Sequence, residues 1–429
     1  MIEKLLYEGW GLSRTPDGIA MVPYSCPGDT LTLKPAFQQK KSLRFAEIET
    51  IVTASPERVT PRCSVFTECG GCHWQHVSQA AQLHWKVEIL RENFSRMAKL
   101  PDTQILPIIA AEDPWRYRNH VTWHVEAETQ KPGFRTSHHS GHDHAVISFD
   151  DCVLLPEVIN TLYHQCEALL TQFPLTDLKW IDVRWNESFE ILMTLQLAEL
   201  ESTKKMVLGS YEKLAIQLTQ NSAFQLKGLL ISDGHNQHVV YGERFLLYDV
   251  MGYRFQVTAG AFFQSNSKLL APILEAVLSR VEPQKTVLDL YAGGGFFSIP
   301  LAKQSKHVTT IESNAAAVFD CEANAQRNGV ENVTIHCADA TACLAQTQET
   351  FEIALLDPPR TGCDAKVLEA LATCVTEHLL YLSCNPVTLA RDTKLLLDTG
   401  HWKLAELQPF DLFPQTYHLE TLAVFEKTV

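Results

Sequence analysis

Leu288-Asp289-Leu290-Tyr291-Ala292-Gly293-Gly294-Gly295 reads as an apolar strand running into a glycine turn, with a helix expected from Phe296 onward. Glycines let the backbone approach a ligand closely and take positive φ at low cost. Outward from this turn, the chain after about residue 265 alternates short apolar strands with helices. The expected strands are Thr286 to Leu290, His307 to Ile311, Val333 to His336, Phe351 to Leu356 and Leu379 to Ser383, preceded by a helix from Ser265 or Asn266 to Val281. That alternation predicts an α/β fold built on a doubly wound parallel sheet. Such sheets gather their chemistry beyond the carboxyl ends of the strands.

Three segments reach that edge. In Leu379-Leu380-Tyr381-Leu382-Ser383-Cys384-Asn385-Pro386 an apolar strand meets a helix start, with Asn385 as N-cap and Pro386 in the first helical position. Cys384 is therefore expected beside a helix N-terminus, which favours a thiolate. Asp357-Pro358-Pro359-Arg360 leaves the fourth strand stiffly, because proline fixes the backbone, and presents Asp357 to the same crevice. Glu420 stands at the mouth of a further apolar strand, Thr421 to Phe425.

The glycine turn lacks the third glycine of a dinucleotide site, where Ser298 stands instead, so a pyrophosphate is poorly supported. Asp289, Glu312 and Asp339 suit a cofactor with a sulfonium and an adenine, as in S-adenosylmethionine, and Glu312 has the spacing of a carboxylate that accepts from ribose hydroxyls. A thiol, a carboxylate and a methyl donor can together methylate carbon 5 of a pyrimidine. That carbon attacks a sulfonium methyl only after a thiolate adds at carbon 6, and a base must then remove the carbon-5 proton. Cys384 is the expected nucleophile and Glu420 the expected base.

The chain of 429 residues has room for two or three domains. Its net charge of −14 excludes indiscriminate nucleic-acid binding and requires any such site to be local. No run of about 18 apolar residues or secretory leader is present, so a cytoplasmic location is expected. In that compartment the twelve cysteines are not a disulfide framework, and clustered ones suggest a metal. The first fifty or so residues carry short strands broken by glycine and proline, including Pro27-Gly28-Asp29, and suggest a small barrel. An α+β middle region follows to about residue 260, with a helical run from Ser78 to Met97 and strand-like segments Trp180 to Trp185, Phe189 to Leu197, Gly228 to Ser232 and Val239 to Val250. The histidines at 138, 139, 142 and 144 are read as a polar loop.

These residues resemble the RNA uridine-5-methyltransferases. The matches are Phe262-Phe263-Gln264-Ser265-Asn266, the Leu288 to Gly295 turn, Asp357 to Arg360 with Gly362, Ser383 to Pro386 through Asp392, and His418-Leu419-Glu420-Thr421. The resemblance implies a Rossmann-like class I S-adenosylmethionine-dependent methyltransferase domain over residues 261–429, with Gln264, Tyr291, Glu312, Asp339 and Asp357 as cofactor and active-site positions. Phe296 stands where relatives often carry Asn. Cys63, Cys69 and Cys72 with Cys152 look like the four ligands of the [4Fe-4S] cluster of the ribosomal-RNA branch, carried by a middle domain of residues 55–260. Zinc is the rival, although its structural sites more often use two tight Cys pairs.

Residues 1–54, through Gly9-Trp10-Gly11, Asp17-Gly18 and Pro27-Gly28-Asp29, resemble the TRAM domain, an OB-like RNA-binding barrel. The implied substrate is a uridine of 23S ribosomal RNA, methylated by a monomer with no membrane and no obligate protein partner. Arg116, Arg118, Lys131, Arg135 and the basic residues between 34 and 62 are candidate phosphate contacts, and Phe262, Phe263 and Tyr417 candidate stacking residues for an extruded base. The alternatives are a transfer-RNA uridine-5-methyltransferase, a non-catalytic RNA-binding assembly factor and an iron-sulfur redox protein.

Overall fold

The computed structural model describes residues 1–429 except 17, 137–144, 173–174, 176, 199–204 and 429, and the side chains of 205–210. Asp17 and the histidines at 138, 139, 142 and 144 thus lie outside the described residues.

The N-terminal strands form two small sheets. One runs in the order Lys4–Leu5, Trp10–Thr15, Gly18–Pro23, Leu43–Phe45, Gln38–Lys40, and the other pairs Thr30–Leu33 with Ile48–Thr53. Ile2, Ala20 and Val22 pack between them against Leu31, Leu33 and Ile48. The Pro27-Gly28-Asp29 turn is closed by the buried Asp29 carboxylate, which accepts from the Cys26 and Ser55 amides and pairs with Arg58. Leu5 and Cys26 share a second core with Trp74, Val77, Ala81 and Ile89, which joins this module to the helix Gln79–Asn93. That helix has Ser78 as N-cap, and its last turn widens into a π-turn over Phe94–Ala98.

The middle sheet has seven strands in the order Val146–Ile147, Pro132–Arg135, His120–Val125, Leu178–Trp185, Glu190–Leu197, Gln225–Ser232, Gln237–Gly242. The helix Glu157–Gln172 covers it through Ile159, Leu162, Tyr163 and Cys166. The stretch read as one strand from Val239 to Val250 is two, Gln237–Gly242 and Phe245–Val250, because Gly242 turns the chain at φ +65°. The second of these pairs with Tyr253–Thr258 as a hairpin. Leu246, Tyr248, Phe255 and Val257 of this hairpin are buried in the core of the C-terminal sheet.

The C-terminal strands are β1 (Thr286–Leu290), β2 (His307–Glu312), β3 (Val333–Cys337), β4 (Phe351–Leu356), β5 (Val375–Ser383), β6 (Trp402–Phe410) and β7 (Glu420–Lys427). They lie in the order β3-β2-β1-β4-β5-β7-β6. The first five are parallel, and β7 is antiparallel to both β5 and β6. The sheet is thus mixed at one edge, where a purely parallel sheet had been expected. Burial on both faces accounts for the near-continuous apolar runs of β4 and β5. Because β7 runs backwards, its first residue lies at the edge where the parallel strands end.

Candidate active site

The turn after β1 carries the first part of the site. Tyr291, Gly293 and Gly295 have φ of +62°, +54° and +81°, and the helix begins at Ser298, two residues later than the sequence pattern implied. A side chain at Gly295 would meet Cys321 Sγ at 2.8 Å, so glycine is required for the helix Ala315–Arg327 to pack against the turn. From that helix Asn324 donates to the Gly294 carbonyl (2.9 Å) and to the Gln256 carbonyl (3.1 Å), while Asp320 accepts from Gln256 Nε2 (2.9 Å) and the Thr258 amide (2.8 Å). Hairpin, helix and glycine turn are thereby stitched around a cleft of about 40 Å³, lined by Phe262–Gln264, Tyr291–Gly294, Phe296 and Asp357 among others.

Three of the five expected cofactor positions, Gln264, Tyr291 and Asp357, line this cleft. Glu312 and Asp339 do not, since their carboxylates are engaged by the backbone. Glu312 accepts from the Gly293 amide (3.0 Å) and the Asn314 amide (2.7 Å), which braces the glycine turn from β2. Asp339 is the N-cap of the helix Ala340–Leu344, accepting from the Ala342 amide at 3.0 Å. Asp289 lies beneath the turn, takes a hydrogen bond from the Ser298 hydroxyl, and is pushed up to about 7 by burial and then by Glu312. Phe296 is buried against Phe255, Phe263 and Phe297, so the position where relatives often carry Asn is apolar here.

Cys384 and Glu420 meet on neighbouring strands. Ser383 of β5 pairs with Thr421 of β7, and each of the two functional residues lies one position further toward the same edge. Asn385 caps the helix Pro386–Asp398 by accepting from the Val387 amide at 3.0 Å, which puts the thiol at the helix start. Burial pushes the Cys384 thiol up to about 12, Glu420 and Asp357 add to this, and Arg360 opposes it. Desolvation and two neighbouring carboxyls outweigh the helix terminus.

Glu420 is 3 % exposed, and its Oε1 has no hydrogen-bond partner among the described residues. Burial, followed by repulsion from Asp357, holds its carboxyl well above the ordinary carboxylate range, with Arg360 pulling the other way. Asp357 is likewise raised by burial and by Asp289. Gln264 Nε2 lies 3.5 Å from Asp357 Oδ2, and the Gln264 carbonyl accepts from Asn119 Nδ2 at 3.0 Å. The cleft at the glycine turn and the thiol–carboxyl pair are thus bridged by one aspartate.

Several groups here escaped sequence reasoning. Arg360 perturbs Cys384, Glu420, Tyr7, Tyr417 and His418. Tyr7 of the N-terminal module packs edge-on against Tyr417 (5.1 Å between centroids), and His73 lies 4.6 Å from the same ring. The loop carrying Tyr417 is anchored from the helix Gln79–Asn93. Lys86, fully buried, donates to Asp411 Oδ1 (2.5 Å) and the Phe413 carbonyl (3.0 Å), and Gln82 Nε2 donates to Gln415 Oε1 (3.0 Å). A Gln and a Lys on a helix face look solvated in sequence, and only the fold reveals them as internal.

Among the stacking candidates, Phe262 is 72 % exposed at the cleft, whereas Phe263 packs on Tyr248, Phe255 and Phe296. Arg116 is not available to phosphate, because it forms a two-toothed pair with Asp151 (both 2.8 Å) and also donates to the Cys152 and Leu155 carbonyls. Arg118 lines the cysteine pocket. Arg58 is held by Asp29, and Arg62 lies over the Trp115 ring at 4.7 Å.

Cys63, Cys69, Cys72 and Cys152, all free thiols, line one pocket of about 70 Å³ with Val65, Phe66, Phe134, Phe149, Val153 and Leu154. Burial raises all four. The Gly71 amide donates to Cys69 Sγ at 3.4 Å. Among the described residues no three His, Cys, Asp or Glu side chains are gathered closely enough to chelate a single ion.

No helix among the described residues is long and apolar enough to cross a membrane. A sequence model of the tRNA (Uracil-5-)-methyltransferase family matches residues 78–428. An uncharacterized RNA methyltransferase of Thermosynechococcus vestitus is 31 % identical over 438 residues, covering 99 % of this chain and 96 % of that protein. One from Halalkalibacterium halodurans is 30 % identical, with the same coverage of 99 % and 96 %. The fold is shared with the crystal structure of Pyrococcus abyssi tRNA (uracil-54, C5)-methyltransferase in complex with S-adenosyl-L-homocysteine, at a TM-score of 0.74, 21 % identity and 99 % coverage of both chains. A match through both the glycine turn and the Cys384–Glu420 pair, carried by relatives aligned end to end, means that this chain belongs to the RNA uracil-5-methyltransferase family.

Proposed function

We propose that this protein methylates carbon 5 of a uridine in 23S ribosomal RNA, with S-adenosylmethionine as methyl donor. The observation that carries the reading is the pairing of Ser383 with Thr421, which brings Cys384 and Glu420 together beside Asp357 at the cofactor cleft. Bound in the cleft formed by Gln264, Tyr291 and Asp357, the donor supplies an electrophilic methyl group. Glu312 supports the cleft by holding the Gly293 amide in place, and Asp339 caps the neighbouring helix Ala340–Leu344. The Cys384 thiol gives up its proton to solvent and the thiolate adds to carbon 6 of the uracil; the ring's electron pair becomes available at carbon 5, where the methyl bond would form as the donor's sulfur–methyl bond breaks. Glu420 in its ionised form, which Arg360 favours, takes the carbon-5 proton, and expulsion of Cys384 restores the ring double bond.

Residues 1–54 serve as a TRAM-like RNA-binding module, residues 55–260 as the middle domain and residues 261–429 as the catalytic domain. Cys63, Cys69, Cys72 and Cys152 hold a [4Fe-4S] cluster that ties two distant segments together and shapes the RNA surface. Methyl transfer itself needs no redox step.

Transfer RNA is the second reading. The archaeal enzyme named for tRNA uracil-54 aligns over 99 % of both chains, so a full-length match does not separate the two substrates. Mass-spectrometric mapping of 5-methyluridine in ribosomal and transfer RNA, from cells with and without this gene, decides between them. Cys384→Ala is expected to abolish methyl transfer and to prevent the covalent adduct with 5-fluorouridine RNA. Undiminished methylation by that variant overturns the mechanism.

A further inference from the structure

The N-terminal module reaches the reaction site through a turn at Tyr7–Gly9, where Glu8 and Gly9 take φ of +70° and +85°. A Cβ at Gly9 would meet Tyr417 Cδ1 at 3.2 Å and His73 Cβ at 3.3 Å, so this close approach requires glycine. Leu5, 1 % exposed among Trp74, Val77 and Ile89, fixes the strand that leads into the turn. Tyr7 is thereby set edge-on against Tyr417, three residues before Glu420. The Cys384 thiol and the Arg360 guanidinium both lie near enough to perturb its phenol. Among the described residues, no protein group takes a hydrogen bond from the Tyr7 hydroxyl.

We propose that Tyr7 forms part of the base pocket and donates its hydroxyl to O4 of the extruded uracil. The inference rests on the uridine-methylating reading above. When the bond from Cys384 Sγ to carbon 6 forms, the carbon 5–carbon 6 π pair is displaced toward carbon 5 and the carbon-4 carbonyl, and negative charge gathers on O4. A hydrogen bond to that oxygen is stronger in the transition state than in the bound substrate, so it accelerates addition. Burial, Tyr417 and Cys384 keep the phenol protonated, as a donor must be. The N-terminal module then acts in the chemistry as well as on the RNA backbone.

Tyr7→Phe keeps the ring against Tyr417 and removes only the hydroxyl. With the purified full-length protein, target RNA and its 5-fluorouridine analogue, this variant is expected to keep wild-type RNA affinity and thermal stability. Adduct formation and kcat should fall roughly 100-fold, the lower end of the range for loss of one such donor. Wild-type rates of adduct formation in Tyr7→Phe overturn the proposal, as does weaker RNA binding at an unchanged rate. If Tyr7→Phe loses thermal stability, the role is structural and the proposal also falls. Wild-type protein that forms neither adduct nor methyluridine overturns the uridine reading itself, which separates the two failures.

Discussion

Arg360 is the cation that faces Cys384 and Glu420 together, and its effect on both is to favour the charged form. Even with Arg360 present the thiol is pushed up to about 12, so at neutral pH the resting sulfur is protonated and activity should rise with pH as the thiolate fraction grows. Removing Arg360 removes an influence that lowers the thiol's pKa. The ascending limb of kcat/KM for Arg360→Ala is therefore expected to move to higher pH, with activity at pH 7 reduced roughly tenfold per unit of displacement. Lys at this position should restore part of the rate. A pH–rate profile of the three proteins checks this, and an unmoved limb would separate Arg360 from the thiol. Sequence order located Cys384 and Asp357 at one edge because both follow apolar strands, and it showed the helix terminus beside the thiol but not the burial that raises it. Burial and the facing carboxyls come from strands far apart in the chain, and their weight is not legible in any local pattern.

At the scale of elements, the helix Pro386–Asp398 organises the loop that carries Arg360. Asn385 Nδ2 and the Thr388 hydroxyl both donate to the Arg360 carbonyl at 3.2 Å, and Asp392 accepts from the Cys363 amide (2.9 Å) and the Tyr381 hydroxyl (2.7 Å). Gly362 passes so close that a side chain there would meet Asp392 Oδ2 at 2.3 Å. Asn385→Ala removes both the cap and one of these anchors. It should cost about 1 kcal/mol in denaturant unfolding and lower kcat more than RNA binding, because it loosens the groups around Cys384 rather than the RNA surface. This helix start was readable, since Asn-Pro after an apolar strand is a local signal with a mechanism. The reversed direction of β7 was not, because an apolar run carries no mark of which way it enters a sheet.

For the molecule as a whole, the helix Gln79–Asn93 is the hub. It shares a core with the N-terminal module, follows the cysteine segment, and grips the loop before β7 through Lys86 and Gln82. Burial depresses the Lys86 ammonium and Asp411 partly offsets this, so removing one partner leaves the other buried and unpaired. Lys86→Met strands a buried carboxylate and is expected to cost about 3 to 5 kcal/mol, measured by urea denaturation. The double variant Lys86→Met/Asp411→Leu should recover much of that stability.

The pairing of Ser383 with Thr421 also determines which changes of length the chain can absorb. A residue added between Phe410 and Glu420 extends a connection, whereas one added within β5 shifts every later partner by about 3.3 Å and turns every later side chain of the strand to the other face. An insertion in the connection thus strains the grip of Lys86 and Gln82 but leaves the sulfur and the proton acceptor side by side, while a single codon gained in β5 separates them and leaves a silenced centre.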